Sequence, residues 1–309
     1  MARDYKGIYP VLYAYFDKND RLDRAAMARQ VEHVIEAGAH GITVLGLVTE
    51  VHKMDVNERL YLVEMVGEMI KGRVPYAVTV GEPSLRGQVE FSQAAARCGA
   101  DWVILQPPAI KGTSERDLIR FFGAVANAVD IDVAVQNNPV NLDVSLSVKG
   151  LVDLNSQHPN ISILKGEGYS VDIARVIDQS GGAFKVFGGH GGIEFMSLLR
   201  SGGVGLIPAP DFIHAQVRLF ELWQEGTDGA RAEAERIHRE ILPAIAFMSR
   251  SVPGMLCYGK RLFAQQAGIA DIHDRAPALA PTDFGLAEVM RFKSDIAEAA
   301  GQAKTVAAE

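Results

Sequence analysis

The segment Cys98-Gly99-Ala100-Asp101-Trp102-Val103-Ile104-Leu105 decides how the chain is read: a glycine able to take the left-handed cap of a helix is followed at once by a short apolar run. The same junction recurs at Ala37-Gly38-Ala39-His40-Gly41, ahead of Ile42-Thr43-Val44-Leu45, and at Ser201-Gly202-Gly203-Val204-Gly205. In each case a helix hands the chain to a buried strand. Outward from these junctions, strands are expected at 8–13, 41–45, 76–80, 102–105, 133–135, 161–164, 185–187 and 204–207. Segments of helical period separate them, most clearly at 22–37, 57–70, 85–98 and 114–128. Ser114-Glu115-Arg116-Asp117 has the spacing of a capping box at the start of the last of these.

Strands alternating with helices are βα units around a parallel sheet. Eight of them within residues 1–211 fit a closed (β/α)8 TIM barrel, a fold of about 250 residues with its connections. An open doubly wound sheet is the alternative. Against it, no G-x-G-x-x-G follows the first strand, and Gly188-Gly189-His190-Gly191-Gly192 comes too late and lacks the spacing. Beyond the eighth strand the pattern is helical from 212 to 269, a Pro/Ala-rich stretch covers 275–281, and a last helix is expected at 284–300. Residues 212–309 are therefore read as the final barrel helix and a C-terminal helical extension packed on the barrel.

Composition narrows the function. The 309 residues are 48% hydrophobic and carry a formal charge of −7, from 31 Lys and Arg against 38 Asp and Glu. Both signs are interspersed, which argues against a nucleic-acid footprint. The aliphatic stretches near Val11, Val44 and Val103 fall short of the roughly 20 apolar residues of a membrane span. Met1-Ala2-Arg3-Asp4-Tyr5-Lys6 shows no apolar leader, so a cytoplasmic location is expected. Cys98 and Cys257 lie far apart and outside any C-x-x-C spacing, which suits two buried thiols rather than a disulfide framework or a zinc knuckle. The expected partner is a small molecule.

In such a barrel the reactive groups stand at the C-terminal ends of the strands. Lys165 ends the apolar run Ile161-Ser162-Ile163-Leu164 and is followed by Gly166-Glu167-Gly168. Desolvation in a barrel mouth can lower a lysine pKa by up to roughly 3–5 units, leaving a neutral amine able to attack a carbonyl carbon. The alternative is a lysine that snorkels to solvent or pairs with Glu167. If strand geometry persists to Glu167, both side chains enter the mouth together, and an ionised Glu167 then opposes the desolvation. The glycines from Gly188 to Gly192 either allow close backbone packing or make room for a polyhydroxylated substrate. His190 and Glu194 have i, i+4 spacing, but no third metal ligand is evident. Tyr258 and Lys260 are further candidates to reach the mouth from the extension.

Four features together carry a resemblance: Gly7-Ile8-Tyr9-Pro10-Val11, Gly46-Leu47-Val48-Thr49-Glu50, Gln136-Asn137-Asn138-Pro139, and Lys165 at a strand end. Over nearly its whole length the chain resembles the dihydrodipicolinate synthase and N-acetylneuraminate lyase family of class I aldolases. The resemblance implies a barrel with a C-terminal helical extension, commonly a homotetramer, no metal or cofactor, and a lysine, here Lys165, that forms a Schiff base with the keto group of a 2-oxo acid. It also implies that Glu50 is structural.

The chain departs from the synthase pattern in an informative way. Leu47 and Val48 stand where the synthases carry two hydroxyl residues, and Gln136 stands where they carry a tyrosine proton shuttle. Val140-Asn141-Leu142-Asp143 lacks their arginine, and Pro107-Pro108-Ala109-Ile110 lacks their paired tyrosines. The motifs are more similar to the family's dehydratases of 2-keto-3-deoxy sugar acids, such as 2-keto-3-deoxy-L-arabonate. That likeness assigns proton transfer to Glu167 and substrate binding to Val48, Thr49, Gln136, Gly188 and Gly189, with Thr49 and the backbone N–H groups of Val48 and Thr49 on the substrate carboxylate. The leading expectation is a hydro-lyase acting on a 4-hydroxy-2-oxo acid. The alternatives are a retro-aldolase releasing pyruvate, a deaminase of a cyclic imino acid, and a barrel that binds 2-oxo acids without turnover.

Overall fold

The computed structural model describes residues 4–140 and 142–301. Its strands are β1 (Gly7–Ile8), β2 (Ile42–Val44), β3 (Tyr76–Val80), β4 (Trp102–Leu105), β5 (Asp132–Asn137), β6 (Ile161–Gly166), β7 (Lys185–Gly188) and β8 (Gly205–Leu206). From β2 to β7 each pairs in parallel with its successor, and β1 pairs with β8. The remaining seam closes just beyond β1, where Thr43 N–H donates to the Pro10 carbonyl and Leu12 N–H to the Thr43 carbonyl, both at 2.9 Å. The sheet is thus the expected closed barrel.

The helices that follow the strands are α1 (Arg24–Glu36), α2 (Val56–Ile70), α3 (Leu85–Arg97), α4 (Glu115–Ala126), α5 (Val148–Gln157), α6 (Ser170–Gln179), α7 (Phe195–Arg200) and α8 (Ile213–Glu225). The extension adds α9 (Asp228–Met248), which packs along α8, then α10 (Val252–Gly254), a π turn at Met255–Gly259, α11 (Lys260–Ala267) and α12 (Asp283–Ala299). No single helix among the described residues is long and apolar enough to cross a membrane.

Three details differ from the sequence expectation. The first strand is shorter than 8–13, because Pro10 has no N–H to donate; the chain here instead alternates single bonds, Tyr9 N–H to Leu206 and Val11 N–H to Pro208, with those to β2. At α4, Ser114 accepts from Asp117 N–H, but its hydroxyl donates to the Asp117 carboxylate at 2.7 Å, so the reciprocal half of a capping box is missing. The complete box is Asp55 with Glu58 at α2. Of the two free thiols, Cys257 is buried and Cys98 only half-buried.

The barrel interior is filled from its N-terminal side by aromatic rings. Tyr9, Trp102 and Phe187 meet one another with centroids 5.3–5.8 Å apart, and Tyr5 stacks on Trp102 at 5.5 Å. Phe187 is in register with Lys165 across β6 and β7. Beyond the plug the barrel opens toward the C-terminal ends of the strands, where Lys165 and Glu167 border a cavity.

Closure also needs Gly205, where an added Cβ would lie 2.1 Å from the Gly7 carbonyl oxygen and 2.8 Å from Phe187. Backbone cannot yield there without opening the β1–β8 seam. Gly205→Ala should therefore lose about 2–3 kcal/mol or more, read as a lower urea midpoint at unchanged m-value; an unchanged midpoint would refute this account of the seam.

Candidate active site

Strand β6 buries Ile161, Ile163 and Leu164, and the pleat at its end sends Lys165 into the barrel mouth and Gly166 outward against Ile173. Pairing runs one residue past the strand, with Glu167 N–H donating to the Asn137 carbonyl at 2.9 Å, so Glu167 points inward again. The two side chains are only 5% and 7% exposed. Lys165 Nζ lies 3.7 Å from Glu167 Oε2, near enough for charge attraction and too far for a hydrogen bond. Among the described residues Nζ donates no hydrogen bond at all.

The carboxylate, by contrast, is tightly held. Its Oε2 accepts from the Gln136 side-chain amide and from Asn138 Nδ2, the latter at 3.0 Å. Gln136 is itself fixed by Gln106 Nε2 at 2.8 Å, and the Gln106 carbonyl accepts from Gln88 on α3 at 2.8 Å. A row of amides thus runs from α3 through β4 and β5 to Glu167. Burial pushes the Glu167 carboxyl upward, but Lys165, His190 and the hydrogen bonds from Gln136 and the His190 backbone outweigh it, holding the group below the usual carboxylate range.

These residues open onto a cavity of about 370 Å³. Lys165, Glu167 and His190 form its polar inner side. Val11, Val48, Ile207, Pro208 and Val252 contribute apolar walls, and Ser249, Arg250 and Ser251 border it from the extension. On the far side of Glu167 a second space of about 340 Å³ lies between β6, β7 and the helices α6 and α7. A larger one, about 550 Å³, sits between the 47–53 turn, the start of the π turn and residues 274–279, and touches neither Lys165 nor Glu167.

Burial alone would select a different amine. Lys260 is 1% exposed, and burial lowers its pKa even beside the Glu50 carboxylate. But Lys260 is locked to Glu50, which also takes Lys53 Nζ at 2.6 Å, and it borders none of the three cavities. What separates Lys165 from Lys260 is access, not desolvation.

Lys165, Glu167 and Val48 share one cavity. Gln136 stands behind Glu167 rather than in the cavity wall. Gly189 lies directly against the carboxylate: an added Cβ would sit 2.1 Å from Glu167 Oε1. Gly188 faces away from the mouth, where a Cβ would strike Leu198 at 2.7 Å, so it borders only the second space. Thr49 is not in the cavity wall either; its hydroxyl donates to the Leu12 carbonyl at 2.7 Å and its N–H to Gly46 at 3.0 Å, bracing the 47–49 turn from behind. Tyr258 contacts Thr282 instead of the mouth. Among the described residues no cluster of three metal-ligating side chains exists.

Sequence reading missed Asn138 and the segment Ser249-Arg250-Ser251. The first was within reach, since residues 136 and 138 share a face of an extended strand. The second carried no local signal: it meets the cavity only because the chain bends by 108° between Asp228–Met248 and Val252–Ala267.

Residues 4–277 match the Dihydrodipicolinate synthetase family. The chain is 30% identical over 230 residues to the "Probable 4-hydroxy-2-oxoglutarate aldolase, mitochondrial" of Emericella nidulans, covering 71% of this chain and 74% of that protein. It is 25% identical over 256 residues to the "Probable 2-dehydro-3-deoxy-D-pentonate aldolase" of Escherichia coli K12, covering 81% and 84%. Among solved structures, a prophage protein of the dihydrodipicolinic acid synthase family from Escherichia coli K12, in complex with pyruvate, superimposes with a TM-score of 0.86 at 24% identity, covering 95% of this chain and 99% of that one.

One further buried acid stands just behind the cavity wall. Asp211 follows Pro208 and Ala209 on the turn after β8, and burial lifts its carboxyl to about 7, against a 2.6 Å hydrogen bond from the Tyr13 hydroxyl that favours the ionised form. A carboxyl raised on folding binds its proton more tightly in the native state. Its contribution to stability therefore falls as pH rises from about 4 to about 7 and is flat above. Asp211→Asn keeps an acceptor for Tyr13 and removes that slope. Urea titrations at pH 5 and 8 should show the wild type losing about 1–3 kcal/mol more than the variant; parallel losses would contradict the burial account.

Proposed function

The chain belongs to the dihydrodipicolinate synthetase family, whose members are lyases, and on that footing we propose that it dehydrates a 2-keto-3-deoxy sugar acid, or a similar 4-hydroxy-2-oxo acid, through an imine at Lys165. The observation that carries this reading is the pairing of Lys165 Nζ with Glu167 Oε2, buried together 3.7 Å apart at one cavity.

In this reading the Lys165 amine adds to the C2 carbonyl, and loss of water leaves an iminium that acidifies C3. Glu167, kept ionised by its surroundings, removes a C3 proton and becomes the acid that protonates the departing C4 hydroxyl. Electrons from C3 form the new C3–C4 double bond, and hydrolysis of the imine returns the amine and an oxo acid lighter by one water. Gln136, Asn138 and the space left by Gly189 position the carboxyl and do not themselves react. The substrate carboxylate is set near Val48 at the β2 turn. Dehydration by one carboxyl in two protonation states asks nothing of a metal or cofactor.

A second reading has support in the names of the two relatives, both aldolases. There Glu167 takes the C4 hydroxyl proton, the C3–C4 bond breaks to release an aldehyde, and the pyruvate enamine left on Lys165 regains a proton at C3 from Glu167 and is hydrolysed to pyruvate and the free amine. The family resemblance also leads us to expect a homotetramer, which light scattering on the intact protein tests.

Borohydride reduction in the presence of pyruvate should add mass to the peptide containing Lys165, and Lys165→Met should abolish both adduct and turnover. Glu167→Gln should keep the adduct while turnover of a keto-deoxy acid falls about 10²–10⁴-fold. Dehydrated oxo acid as product supports the first reading and pyruvate plus aldehyde the second; absence of any adduct would remove both.

A further inference from the structure

The cavity charges are unevenly spread. Lys165 and Glu167 face each other at the inner side and compensate one another. Apart from them and His190, the one charged side chain in the cavity wall, among the described residues, is Arg250. It stands on the opposite, extension-borne side, in the three-residue break between α9 and α10 where the chain turns by 108°. Arg250 is exposed, and no carboxylate among the described residues pairs with it. Its neighbours Ser249 and Ser251 also border the cavity; the Ser251 hydroxyl already accepts from Gly254 N–H at 3.1 Å, which anchors the break in place.

Depth orders the substrate. The proposed imine forms at the buried amine, and the substrate's own carboxylate is one bond from that imine carbon, so it stays at the inner end. The atoms beyond C4 extend toward the opening, where the guanidinium waits. A planar guanidinium with five fixed donors is matched bidentately by a carboxylate and only partially by a primary alcohol. We infer that Arg250 is a specificity-determining residue that binds a second carboxylate at the far end of the substrate, so that the preferred substrates are 4-hydroxy-2-oxo diacids rather than their hydroxymethyl-ended counterparts. This inference rests on the imine reading above and narrows its substrate to the 4-hydroxy-2-oxo diacids, away from the keto-deoxy sugar acids that end in CH2OH.

The test compares two substrates of equal chain length, one ending in carboxylate and one in CH2OH, with wild-type protein and Arg250→Gln. Pyruvate trapping by borohydride is followed in parallel, because pyruvate carries only the inner carboxylate. The expected result is a wild-type preference for the diacid of at least ten-fold in kcat/KM. The variant should lose most of that preference through KM, with half-saturating pyruvate within about two-fold of wild type. Thermal unfolding of the variant should match the wild type, as the side chain has no partner to lose among the described residues. A wild-type preference for the CH2OH-ended acid, or an equal loss on both substrates, would overturn the inference. So would weakened pyruvate trapping in the variant, which would put the guanidinium on the inner carboxylate. Failure of trapping in the wild type would instead bring down the imine reading, and this inference with it.

Discussion

An ionised carboxylate kept out of water must be given hydrogen bonds or charge, since an isolated one is too costly to bury. Much of the upper barrel can be understood as meeting that demand for Glu167. Gln136 and Asn138 are placed by alternate positions of β5 and its extension, and the amide row back to Gln88 keeps Gln136 from turning. The backbone of the β7 loop supplies another donor. Gly189 supplies nothing but space, and it is as necessary as the donors, because a methyl group there would occupy the oxygen's position. Lys165, meanwhile, is left unbonded at 3.7 Å. The arrangement restrains the acid and leaves the amine open to the cavity.

The fold was legible because its signals are local. Glycine caps before apolar runs repeat at Gly38, Gly99 and Gly202, and each of them has positive φ in the structure. The Lys165–Glu167 pair was legible for the same reason: it depends on the two-residue period of a single strand. Legibility ended where placement depends on contacts distant in sequence. Thr49 reads as a substrate ligand by its position in a motif, yet Leu12, from the other side of the barrel seam, claims its hydroxyl. Gly188 and Gly189 look equivalent in sequence, and the pleat sends one toward the helices and the other toward Glu167. Arg250 sits in a helix break that periodicity treats as continuous helix from 212 to 269.

Buried lysine is often taken as a sign of reactivity, and this chain holds two. Lys260 is the more deeply enclosed, wedged near the rings of Tyr15 and Phe16 and paired with Glu50. Glu50 adopts a left-handed conformation at the end of the 47–49 turn and joins it to the extension through that pair. The π turn at Met255–Gly259 delivers Lys260 to it, and Gly259 makes room for Tyr13 and Asp211. Their common effect is mechanical: a turn bordering the cavity is fastened to helices outside the barrel. Removing either partner would leave an unpaired charge in the interior, which is strongly destabilising.

The division of labour between barrel and extension has an evolutionary corollary. Amine, acid and the groups that touch the acid stand at the ends of β5, β6 and β7, where an exchange disturbs packing or strands a charge. The α9–α10 break borders the same cavity through Arg250, an exposed side chain that forms no hydrogen bond or ion pair among the described residues. Drift can therefore sample new side chains at 250 without endangering the foldedness of the domain, while Ser251 holds the break. Relatives that differ in diet while sharing one reaction core would be expected to diverge first at that corner.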